Sequence, residues 1–148
     1  MKKIFTVVCI FTVIIAYSCT HVSGTFISQH GSMRGSSMKD NCMDCHKIGA
    51  TEGGFTVGGT VYEADTVTRY ANGTVYLYSG PNESDSVVAS IEVDGVGNFY
   101  TTHPIDMSKG VYPAVVSSRG YKAFMQTPTS SGACNSCHGV SQAHIVVK

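Results

Sequence analysis

The chain has 148 residues, a length that suits a single domain. Only 14% of them are charged and the formal net charge is zero, which excludes the basic surface that nucleic-acid binding or electrostatic membrane attachment needs. Sixteen glycines, no tryptophan and a richness in valine, threonine and tyrosine favour strands joined by tight turns, so a mainly β fold is expected.

Residues 1–18 open with Met1-Lys2-Lys3 and continue as an apolar run to Tyr17, the form of a signal peptide. The run is shorter than the about 20 residues that span a bilayer. Ile15-Ala16-Tyr17-Ser18-Cys19 resembles a bacterial lipobox, in which the signal is cut before a cysteine whose thiol takes a diacylglyceryl group. That resemblance implies lipid on Cys19, with simple cleavage near the same place as the alternative. Thr20, where retention at the inner membrane would call for aspartate, implies an outer-membrane lipoprotein facing the periplasm or the cell surface. Loss of Lys2 and Lys3 leaves eight basic against ten acidic side chains, so the mature chain is mildly acidic.

Residues 19–29 are polar and without period, and read as a tether. Residues 30–54 contain Cys42-Met43-Asp44-Cys45-His46, and residues 126–148 contain Cys134-Asn135-Ser136-Cys137-His138. Each string spells C-x-x-C-H, the haem attachment pattern of c-type cytochromes. Two thiols three residues apart can reach the two vinyl groups on one porphyrin edge, and the adjoining histidine then falls under the iron. The resemblance implies two covalently bound haems c: Cys42, Cys45 and proximal His46 for one, Cys134, Cys137 and proximal His138 for the other. Cysteine use agrees, because Cys9 leaves with the signal, Cys19 takes lipid and the remaining four are consumed by the haems.

Paired C-x-x-C motifs also build structural zinc sites, but a four-thiolate zinc site gives no reason for a histidine after each pair. A redox dithiol normally stands at a helix start within a strand-helix-strand pattern, which neither pair has.

Between the motifs, residues 55–125 show a β pattern. Segments 55–62, 74–78, 87–93, 99–102 and 111–117 are rich in β-branched and aromatic residues and bounded by Gly, Pro, Asn or Asp. Asn72-Gly73, Gly80-Pro81-Asn82 and Asp94-Gly95-Val96-Gly97-Asn98 are turn signals, since glycine and asparagine tolerate the positive φ of tight hairpins. The expected fold is a small antiparallel β-sandwich flanked by irregular haem-binding segments. Gly59-Thr60-Val61-Tyr62, Ala71-Asn72-Gly73-Thr74-Val75-Tyr76-Leu77, Asp94-Gly95-Val96-Gly97-Asn98-Phe99, Gly110-Val111-Tyr112 and Gly120-Tyr121 follow in the order of the carboxypeptidase regulatory-like, transthyretin-like sandwich. The resemblance covers about half the chain, and implies a non-catalytic scaffold.

The distal ligands of the irons are sought among neutral His and Met side chains within chain reach. His30 is preferred for the first haem, with Met38 behind it. For the second, Met125 stands ahead of His144, which would have to run nearly straight around the porphyrin edge; His103 could serve either. The expected function is electron transfer at the bacterial cell envelope by a c-type cytochrome, with redox proteins, the membrane through Cys19 and further copies with haems in line as partners. An enzyme of the di-haem peroxidase kind is the rival, disfavoured by the short chain and the scaffold in its middle. Adhesion through the sandwich is the third reading, and no tryptophan platform or charged patch supports it.

Overall fold

The computed structural model describes residues 41–49 and 53–148. Cys19, His30 and Met38 lie outside these residues. Seven strands form within them: β1 (Val57–Tyr62), β2 (Thr74–Tyr78), β3 (Val87–Glu92), β4 (Asn98–Thr101), β5 (Tyr112–Val116), β6 (Lys122–Phe124) and β7 (Ile145–Val146). They make two sheets, ordered β4-β1-β7 and β3-β2-β5-β6, and the fold is a small, mainly β sandwich.

Alternation sets the inner face. In β2, Val75 and Leu77 are buried while Thr74 before them and Tyr76 between them are half-buried, the period of two that a strand imposes. Val57, Val61 and Phe99 of the first sheet join Val75, Leu77, Ile91 and Val115 of the second in one apolar cluster. Full burial of a side chain of this size stabilises by roughly 1.5–3 kcal/mol, before the entropy of ordering it is subtracted.

The turns follow their chemistry. Asn72 and Asn82 take the left-handed region, at φ 63° and 53°. Between β3 and β4 the Asp94 carboxylate accepts from the N–H groups of Val96 and Asn98, both at 2.9 Å, which closes the turn on a side chain.

Two features depart in detail from the pattern read in the sequence. β1 begins at Val57 rather than residue 55, because the Phe55 N–H is given to the His46 carbonyl at 2.8 Å instead of to a strand. Residues 126–148, expected as an irregular flank, return to the sandwich as β7. Ile145 and Val146 pair in parallel with Val61 and Tyr62, whereas the other strand pairs are antiparallel. Val147, just past β7, is fully buried in the core.

β1 is buried along its whole length, unlike an ordinary strand with one wet face. β4 pairs with one of its edges. The other edge is taken in turn by Gly132, whose carbonyl accepts from the Gly58 N–H at 2.9 Å, by the Asn135 side chain, and by β7. The second C-x-x-C-H motif is thus an excursion from a segment that runs beside β1.

Candidate functional site

Both motifs fold as one tight turn. Cys42–Asp44 and Cys134–Ser136 are short 3-10 helices, and in each the N–H of the motif histidine donates to the carbonyl of the first cysteine at 2.9 Å. The turn puts both cysteines and the histidine of each motif on one compact piece of backbone. Different residues secure it: Asn41 caps the first, accepting from the Met43 N–H at 3.2 Å, and Ser136 ties the second by donating to the Ala133 carbonyl at 2.6 Å.

The imidazoles are committed in the same way. His46 Nδ1 lies 3.3 Å from the Gly53 carbonyl oxygen and His138 Nδ1 lies 2.7 Å from that of Ala143. A carbonyl oxygen only accepts, so Nδ1 of each ring carries the proton and Nε2 keeps its lone pair. A histidine held to a backbone carbonyl through one nitrogen is the arrangement of a metal ligand that uses the other.

The His46 ring is further fixed by stacking. It lies on Phe55 with centroids 4.1 Å apart and planes 4° from parallel, and Phe55 lies on Tyr100 of β4 at 4.4 Å. This three-ring stack, together with the Phe55–His46 backbone bond, anchors the first motif to the start of β1.

The second motif is anchored by a polar clamp. Asn135, buried within the motif itself, accepts from the Thr60 N–H and donates from Nδ2 to the Thr60 hydroxyl, both at 3.1 Å. Thr60 in turn donates to Asn98 at 2.9 Å, so one bonded chain joins the motif to β1 and β4. Neither Asn135 nor Phe55 stands out in the sequence, because a residue in a variable position of the motif and a strand-like aromatic carry no local signal of these contacts.

Beside the second motif lies a cavity of about 650 Å³, within the range of small-molecule and cofactor sites. Cys134, Cys137 and His138 line one part of it, and Val75, Leu77 and Phe99 bring the inner faces of both sheets to it. Met125, directly after β6, and His144 also reach it. His144 packs on Tyr62 with ring centroids 4.5 Å apart, and a Cβ on Gly139 would stand 2.6 Å from its Cε1, so glycine is needed there. His144 directly follows Ala143, whose carbonyl holds Nδ1 of His138. His103 is exposed in the loop after β4 and does not line the cavity.

Burial acts on the first thiol of each motif. Burial pushes the Cys42 thiol above its ordinary range, with Asp44 adding to the rise. Burial and then the nearby Cys42 push Cys134 up to about 12. Among the described residues no three His, Cys, Asp or Glu side chains gather as around a metal ion.

Five large apolar side chains are exposed among the described residues: Ile48, Val67, Val87, Val88 and Val140. Ile48 and Val140 are 88% and 75% exposed, and each stands two residues after its motif histidine. Family models, curated proteins and solved structures contain no match to this chain.

Proposed function

We propose that this chain is a di-haem c-type cytochrome that carries electrons at the bacterial cell envelope, anchored by lipid on Cys19. The observation that carries the reading is the duplicated turn. Two C-x-x-C-H segments far apart in the chain take the same hydrogen-bonded geometry, and each leaves the histidine Nε2 free for an iron. Cys42 and Cys45 would hold one haem with His46, and Cys134 and Cys137 the other with His138. Bound haem supplies a one-electron iron couple whose potential the axial ligands and the surrounding dielectric set.

The protein's own part is to hold and orient. Gly53 and Ala143 fix the two imidazoles in one tautomer, and Phe55 fixes the plane of His46. The cavity walls of Val75, Leu77 and Phe99 would exclude water from the second site. Met125 is the first candidate to complete that iron by chain reach, with His144 second, and both line the cavity beside His138. For the first iron His30 is the assignment by chain reach, with Met38 next.

Spectroelectrochemical titration of the exported protein tests the function. Reversible one-electron cycling of both haems, with no binding of carbon monoxide to the ferrous form and no turnover of peroxide, is the expected result. Tight carbon monoxide binding with rapid peroxide consumption would instead mark an open iron and an enzyme.

A further inference from the structure

β1 contains two consecutive glycines, Gly58 and Gly59, at its centre. Glycine inside a strand weakens it relative to alanine and offers nothing to pack, so two in the strand that both neighbours of the sheet pair with call for a reason. The reason lies on the strand's two faces. A Cβ at Gly58 would stand 3.3 Å from the Cβ of Cys42 and as close to the Phe55 ring. At Gly59 it would stand 2.9 Å from the Cβ of Cys134 and 2.6 Å from the Phe99 ring. Successive residues of a strand point to opposite faces, and their Cα atoms are only about 3.8 Å apart.

Cys42 therefore sits against one face of β1 and Cys134 against the other, at adjacent residues. Their register is held independently: Phe55 and its stack fix the first turn, while the Gly58–Gly132 bond and the Asn135–Thr60 clamp fix the second. The first cysteine of each motif is also the more buried member of its pair.

We propose that Gly58 and Gly59 are positioning residues that set the two haem sites back to back across β1, so that the haems form one closely coupled pair instead of two independent centres. This rests on the di-haem reading and adds the placement. The glycines act through the cysteines and touch no haem themselves.

Circular dichroism in the Soret region of the ferric holoprotein reads the placement directly, because two porphyrins in close proximity give a paired positive and negative signal that a lone porphyrin does not. Cys42→Ala with Cys45→Ala, and Cys134→Ala with Cys137→Ala, give the two single-haem references. The expected result is a paired signal in the intact protein that is absent from the sum of the references. Gly58→Val, with both haems still present by mass, should lose much of that signal, and the milder Gly58→Ala should lose less while folding normally.

A merely structural role for the glycines would lower the melting temperature and leave the paired signal intact. An intact spectrum equal to the sum of the references, in protein that carries two haems, overturns the proposal and leaves the di-haem reading standing. An unchanged paired signal in both glycine variants overturns the role of the glycines. Fewer than two haems by mass overturns the di-haem reading itself and this placement with it.

Discussion

Asn135 shows how much can depend on one side chain. It occupies a variable position of its motif, yet its amide satisfies both the N–H and the hydroxyl of buried Thr60. Asn135→Ala leaves that N–H without a partner, at a cost of about 1–3 kcal/mol. The expected outcome is a lower melting temperature for the holoprotein and poorer haem loading of the second motif, with the first unaffected. Met125 carries a second prediction at this scale. If its thioether completes the iron beside His138, the ferric protein shows the weak near-infrared sulfur-to-iron band, and Met125→Leu removes the band, lowers one potential and leaves both haems attached. A spectrum that responds to His144→Ala instead would assign the ligand to His144. The two C-x-x-C-H strings were legible in the sequence because their spacing is local, and chain reach had named both Met125 and His144, which line the cavity beside the second string. Phe55 and Asn135 were not, because their roles are defined only by the strand and motif they join.

At the scale of elements, strands rich in β-branched residues were readable, and 74–78 coincides with β2. β6 and β7 were not, being three and two residues long, and β7 owes its existence to pairing with Val61 and Tyr62 more than to any pattern of its own. That pairing has an energetic consequence. It draws Val147 into the core, so that the C-terminal segment closes the sandwich as well as carrying a motif. Val147→Ala removes buried methyl groups and should cost about 2 kcal/mol, read as an earlier denaturant midpoint at an unchanged slope. A change well below 0.5 kcal/mol would mean that β7 is dispensable to the sandwich.

At the scale of the whole molecule, β1 is the common support: β4 on one edge, the C-terminal segment on the other, and one motif turn on each face. A sandwich this small has a thin core, and the cavity between its sheets is a natural place for an apolar prosthetic group to complete the interior. The proposed export with lipid on Cys19 belongs to the same proposal, because c-type haem is attached outside the cytoplasm in bacteria. The meeting of the two motifs at Gly58 and Gly59 could not be read from the chain alone, since it depends on how the C-terminal segment returns along β1.

The most direct test of the account is the intact mass of the mature protein, made with a haem-maturation system and measured after denaturation, together with its metal content. The account predicts a mass gain of two haems, two irons per chain, and the loss of one haem in Cys42→Ala with Cys45→Ala and of the other in Cys134→Ala with Cys137→Ala. A denatured chain at its bare polypeptide mass, or zinc in place of iron, would contradict it.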